Sequence, residues 1–239
     1  LQAGITTAVG CLGTDGYTRK PAEVLMKTKA LKEEGISVWM YTGSYQIPPP
    51  SVTGSVAHDI TFIEEVIGVG EIALSDIRSS HPSTNQLIQL AQEAKVAGML
   101  AGKAGILNIH MGDAKNPFKP LTDAAKNTEL SLKQFFPTHC NRNHYIFEDA
   151  KTYGKLAYVD LTTSSYPYFS DLEMKPAKAI KELLNAGVPE AHISMTSDAI
   201  GSLPGFDENG KLERLDIGQA DTLFKEFRDA VWEEKLPLE

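Results

Sequence analysis

Apolar and polar positions alternate along this chain on two scales. Short, nearly unbroken apolar runs at residues 5–12, 37–42, 71–74, 106–110, 134–139, 156–161 and 192–196 predict seven β-strands. Between them, residues 21–34, 59–66, 83–101, 121–128, 144–153, 175–186 and 217–232 read as amphipathic helices. The first helix shows the logic: Pro21 stands in the first turn, Val24, Leu25, Thr28 and Leu31 share one face, and Gly35 stops it. Ser83 is positioned to cap the longest. Strand followed by helix, repeated this regularly, predicts an α/β fold of βα units around a parallel sheet. The count falls one unit short of an eightfold barrel, and a doubly wound open sheet would alternate in the same way. No Gly-rich phosphate loop follows the first strand, and polar residues arrive at many strand ends, which favours the barrel.

Three strand ends carry the chemistry. Residues 106–109 deliver His110, then Met111-Gly112-Asp113; residues 134–138 deliver His139, then Cys140-Asn141-Arg142-Asn143. Residues 193–196 deliver Ser197-Asp198, then Ala199-Ile200-Gly201-Ser202. In a barrel these ends converge on one mouth. Imidazole and carboxylate together suit a borderline metal such as zinc. Glu71, at the opening of the third strand, is a fourth candidate, although a carboxylate there is often merely exposed. Each His alone reads more readily as structural than as a ligand; the three repeated endings are what point to a site.

Composition narrows the class. The 239 residues, 42% hydrophobic, suffice for one large core with no internal linker or repeat. A net charge of -8 argues against nucleic acid, and no apolar run approaches the about 20 residues of a membrane span. Two cysteines fit a reducing, cytoplasmic setting. Cys11 reads as buried beside a strand end; Cys140 reads as a small loop residue or a soft ligand. Pro48-Pro49-Pro50 stiffens the loop 46–53, and residues 206–211 form a solvated turn with the look of a hairpin. Residues 1–9 read as the end of a helix, a Gly stop and a strand. Both chain ends therefore read as cut from within a larger domain.

Several stretches taken together resemble the isoaspartyl dipeptidases of the amidohydrolase superfamily. They are Gly13-Thr14-Asp15, Gly35 to Met40 with Thr42-Gly43-Ser44-Tyr45, and Ser75-Asp76 with Arg78-Ser79. They continue with His110-Met111-Gly112-Asp113, Pro137-Thr138-His139 with Asn141-Arg142-Asn143, and Ser197-Asp198 with Gly201-Ser202. The resemblance implies a (β/α)8 TIM-type barrel, with residues 1–239 a partial catalytic domain holding strands two to eight. It also implies that the first strand, with its His-x-His pair, and a small flanking β domain lie outside this sequence. His110 and His139 would hold one of two zinc ions and Asp198 the other, with Glu71 bridging them where the family carries a carboxylated Lys. A metal-bridging hydroxide would attack the β-peptide bond of an isoaspartyl dipeptide. Asp198 would shuttle the proton and Tyr45 support the oxyanion, while Thr14, Arg78, Arg142 and Ser202 would bind substrate. The resemblance further implies a homo-oligomer. Alternatives are another amidohydrolase reaction, on an N-acetyl or cyclic-amide substrate, and a truncated, inactive barrel that only binds or assembles.

Overall fold

The computed structural model describes residues 2–238, so Leu1 and Glu239 of the expected end segments lie outside the described residues. Five strands form one parallel sheet in sequence order: β1 (Thr7–Gly10), β2 (Ser37–Thr42), β3 (Val66–Leu74), β4 (Ile106–Met111) and β5 (Phe135–Thr138). Two more, β6 (Val159–Thr162) and β7 (Ile193–Thr196), form a parallel pair. β6 lies beside the end of β5, where the Cys140 N–H donates to the Asp160 carbonyl at 3.0 Å.

The sheet is curled. Neighbouring strands stand about 4.8 Å apart, so β3 and β5, with β4 between them, are separated by about 10 Å at the backbone. Yet Glu71 of β3 and His139 after β5 meet at 3.0 Å, which requires their side chains to lean together over a concave face. Helices α1 (Pro21–Glu33), α2 (Val56–Phe62), α3 (Thr84–Ala101), α4 (Lys119–Lys126) and α5 (His144–Tyr153) connect successive strands. Short α6 (Tyr166–Phe169) and α7 (Pro176–Asn185) link β6 to β7. Strands covered on both faces should be apolar throughout rather than alternating. β4 and β6 alternate instead, with Asn108, His110, Asp160 and Thr162 putting buried polar groups between apolar ones. Leu107, Ile109, Val159 and Leu161 are fully buried, as are Phe135 of β5 and Phe147 of α5. Burying a side chain of this kind contributes about 1.5–3 kcal/mol.

The differences from the predicted elements have local causes. β3 begins at Val66, not at residue 71, because Gly68 and Gly70 disguise its first half; a Cβ on Gly70 would sit 2.8 Å from the Asn108 backbone carbonyl. Glu71 is consequently inside the strand rather than at its start. The helix expected over 59–66 is α2, started earlier by the Ser55 hydroxyl, which accepts from the His58 N–H. The turn at 206–211 does close a hairpin, between β8 (Ser202–Phe206) and β9 (Leu212–Ile217). β9 takes Ile217 of the expected last helix and residues 218–220 form a loop, so α8 spans only Asp221–Trp232. Those two strands are mostly exposed and show no apolar run. Cys11 is exposed rather than buried, because it leaves β1 on an edge with no partner strand among the described residues. No helix among the described residues is long and apolar enough to cross a membrane.

One side chain locks the mouth of the sheet. Asn141, fully buried, donates to the carbonyls of Thr162 (2.9 Å) and Met174 (3.1 Å) and accepts from the Thr162 N–H (2.8 Å). Asn141→Ala leaves backbone groups unpaired, each costing about 1–3 kcal/mol. The expected outcome is a loss of about 3 kcal/mol or more in urea unfolding, with Asn141→Asp intermediate; an unchanged midpoint would show that water replaces the amide.

Candidate metal centre

The ladder between β3 and β4 slips between Val69 and Ile72, at the point where Glu71 turns its carboxylate inward. Its Oε1 lies 3.0 Å from His139 Nε2 and 3.5 Å from His110 Nδ1. His110 is the penultimate residue of β4, in register with Ala73 and Thr138. His139 follows β5 with φ +64, a left-handed backbone that costs a non-Gly residue about 1–3 kcal/mol. One potential ligand atom from each of the three buried residues lies within 4.8 Å of the others.

The donor set fits a divalent metal. Two imidazole nitrogens and a carboxylate are ligands that zinc accepts. The remaining nitrogens are also engaged, as is usual for metal-ligating His: Asp76 Oδ2 stands 3.0 Å from His110 Nε2, and Thr162 Oγ1 2.6 Å from His139 Nδ1. Burial alone would raise the Glu71 carboxyl, but the two imidazoles hold it well below the usual carboxylate range. The Cys140 thiol is no part of this set; it is buried and directed at the Pro137 carbonyl.

The other predicted site residues divide into two groups. Tyr45, buried after β2 and anchored where its carbonyl accepts from the Ala73 N–H, places its hydroxyl 2.7 Å from His110 Nδ1. Arg78 lies over the Tyr45 ring, 5.5 Å from its centroid, and 3.1 Å from His110 Nε2. Arg142 reaches the same nitrogen at 3.2 Å and pairs with Asp113 at 3.3 Å. Asp198, at φ +50 beyond β7, is outside the close ligand set. Its carboxyl is pushed up to about 6 by burial, opposed by His139, reinforced by Glu71, opposed by Arg142 and reinforced by Asp160. It therefore feels the cluster without touching it. Thr14 opens a 3-10 turn, Thr14–Tyr17, beside the site: a Cβ on Gly13 would lie 3.6 Å from Glu71 Oε2. Ser202 is the exposed first residue of β8. Neither hydroxyl bonds to the cluster among the described residues.

Three polar residues that sequence reasoning left without a role also belong to the mouth. Asp76 touches both His110 and Arg78, and its signal was the acid two residues before an arginine after a strand. Thr162 belongs to the run Thr162-Thr163-Ser164-Ser165, hydroxyls at a strand end that offered no obvious ligand. Glu173 is buried in the α6–α7 connection, where Ser165 Oγ donates to its Oε2 at 2.8 Å. Nothing before the fold was known could bring it here.

Burial pushes the Glu173 carboxyl up from an ordinary 4.5 to about 7, with Ser165 and Arg142 opposing and Asp113 and Asp198 reinforcing. The folded chain holds this proton where the unfolded chain has released it, so stability falls as pH rises from about 4.5 to 7. Glu173→Gln cannot ionise. It is expected to be more stable than wild type at pH 8, by on the order of 3 kcal/mol, and equal to it below the unfolded carboxylate range. Thermal unfolding across pH reads the difference; no gain at pH 8 would mean that Glu173 is hydrated, and a gain independent of pH that it does not come from ionisation.

No protein-family model matches the chain. Solved structures do. A β-aspartyl dipeptidase of Fervidobacterium islandicum AW-1, in complex with a β-Asp-Leu dipeptide, is 39% identical over 100% of this chain, with a TM-score of 0.91. A second β-aspartyl dipeptidase structure from the same organism is 36% identical over 100% of this chain, with a TM-score of 0.87. The phosphotriesterase homology protein of Escherichia coli shares the fold at 17% identity, with a TM-score of 0.56 over 82% of this chain and 68% of its own. The chain spans 62% and 60% of the two Fervidobacterium chains. Along its whole length the chain is thus similar in sequence and fold to these β-aspartyl dipeptidases.

Proposed function

We propose that the chain is the catalytic part of a zinc-dependent β-aspartyl dipeptidase. The observation that carries this reading is the buried Glu71–His110–His139 set with Arg78 and Arg142 at its edge. Two guanidinium groups beside a metal site favour a small substrate with carboxylates, which arginine binds through paired charge-assisted hydrogen bonds. A deacetylase or cyclic-amide substrate would give them less to do. The 39% identity with a protein crystallised with β-Asp-Leu supports the same choice.

On this reading the curled sheet is seven strands of a (β/α)8 barrel. The edges of β1 and β7 that face away from their partners are unpaired among the described residues. The two ends also approach each other, since a Cβ on Gly4 would lie 3.1 Å from Phe224 of α8. Glu71, His110 and His139 would hold one zinc, and Asp198, with Glu71, would hold a second. Zinc bound there supplies Lewis acidity and makes water a better acid. Asp198, with its raised carboxyl, suits a proton carrier. It takes the proton as water adds to the β-carbonyl carbon and returns it to the amine nitrogen as the C–N bond breaks. The Tyr45 hydroxyl, which burial keeps protonated, donates to the carbonyl oxygen as charge develops on it. Arg78 and Arg142 hold the substrate carboxylates, with Thr14 and Ser202 bordering them.

The test is zinc content by mass spectrometry together with hydrolysis of β-Asp-Leu. Wild-type protein is expected to retain zinc, and His110→Ala and His139→Ala to lose it. A wild-type chain that binds no zinc overturns the reading. Arg142→Met should lower kcat/KM roughly ten- to hundredfold more for β-Asp-Leu than for its C-terminal amide, because a hydrogen bond to a charged group is worth about 1.5–3 kcal/mol. Equal losses on both would make Arg142 structural.

A further inference from the structure

Asp76 uses both carboxylate oxygens. Oδ1 accepts from the Arg78 backbone N–H at 2.7 Å and from Arg78 Nε at 2.9 Å. Oδ2 accepts from Arg78 Nη2 at 2.7 Å and stands 3.0 Å from His110 Nε2. Asp76 is 7% exposed, and a carboxylate so buried stays ionised only when its oxygens are satisfied. The space for it is reserved: a Cβ on Gly112 would lie 2.4 Å from Asp76 Cβ.

His110 Nε2 meets three groups at nearly equal range, Asp76 and the two guanidinium groups of Arg78 and Arg142. Guanidinium only donates and ionised carboxylate only accepts, so they ask for opposite tautomers. The arginines have other acceptors, Asp76 for Arg78 and the Met111 carbonyl for Arg142 at 3.2 Å. Asp76 can meet Nε2 favourably only if that nitrogen carries the proton. This leaves the Nδ1 lone pair to accept from the Tyr45 hydroxyl at 2.7 Å, on the Glu71 side where a metal would bind. Without Asp76, Nε2 faces two guanidinium donors and, more distantly at 3.4 Å, the Tyr45 hydroxyl, and the proton moves to Nδ1.

We propose that Asp76 is a positioning residue that fixes the His110 tautomer and the Arg78 guanidinium with one carboxylate. It thereby couples metal affinity to recognition of the substrate carboxylate. The proposal rests on the zinc dipeptidase reading above and deepens it.

The experiment measures zinc affinity by competition with a chromophoric chelator and steady-state kinetics with β-Asp-Leu, for wild type, Asp76→Asn, Asp76→Ala and Arg78→Met. Loss of a partner that orients a ligating His typically weakens metal binding about 10–100-fold. Both Asp76 variants are expected to show that loss together with a raised KM at saturating zinc. Arg78→Met is expected to raise KM alone, with zinc affinity kept, since Asp76 still holds His110. Zinc affinity unchanged in both Asp76 variants, with KM raised, overturns the coupling and leaves the dipeptidase reading standing. Wild-type protein that binds no zinc overturns both. A measurement that needs no Asp76 variant is 15N NMR of His110 in zinc-stripped wild type, assigned by its loss in His110→Gln. The Nε2–H tautomer is expected, and Nδ1–H overturns the proposal.

Discussion

A carboxylate buried between two imidazoles is the constraint on which the rest of this structure depends. Glu71 has left water, and an ion in that position is tolerable only with close, oriented partners. The partners come from the two next strands, so the sheet must curl until β3, β4 and β5 share one focus. The imidazoles then need partners of their own, and Asp76 and Thr162 supply them. Each layer outward exists to satisfy the one inside it. The chain accordingly bends into left-handed backbone at Ser75, His139 and Asp198, all at or just beyond the ends of their strands.

Charge is arranged in depth. Asp160, the innermost acid, is fully buried and accepts hydroxyls from Thr138, Ser194 and Thr196. Glu71 and the imidazoles come next. The guanidinium groups of Arg78 and Arg142 sit at the lip, with Asp113 and Glu173 near Arg142. A small anion entering from outside therefore meets positive charge before it meets the carboxylates, and desolvation at the mouth strengthens that attraction.

The parallel strands and most helices were legible because both rest on period and local stop signals, which tertiary context leaves intact. His110 and His139 were legible because a polar residue closing an apolar run is unusual. Glu71 was named as a ligand, but its place within the strand was misread, since two glycines hide the half of β3 that precedes it. The hairpin of β8 and β9 was reduced to its turn because exposed strands need no apolar alternation. Asp76 and Thr162 lay in plain view, yet their importance is relational: each matters only through the imidazole it faces. Glu173 arrives by a backbone clamp on Asn141, a contact spanning 33 positions that no local pattern encodes.

The hydroxyls around Asp160 carry a consequence for motion. Thr138, Ser194 and Thr196 come from β5 and β7, and all three grip a carboxylate borne by β6. The ends of these strands cannot shift singly without stripping a buried anion of a donor, so they form one stiff block. The block reaches past β7, where the Ser197 carbonyl accepts from the Ser164 N–H at 3.2 Å and the Asp198 carbonyl from the Ser164 hydroxyl at 3.3 Å. Asp198, just beyond β7, and His139, just beyond β5, are therefore carried on one stiff frame whose middle member is β6.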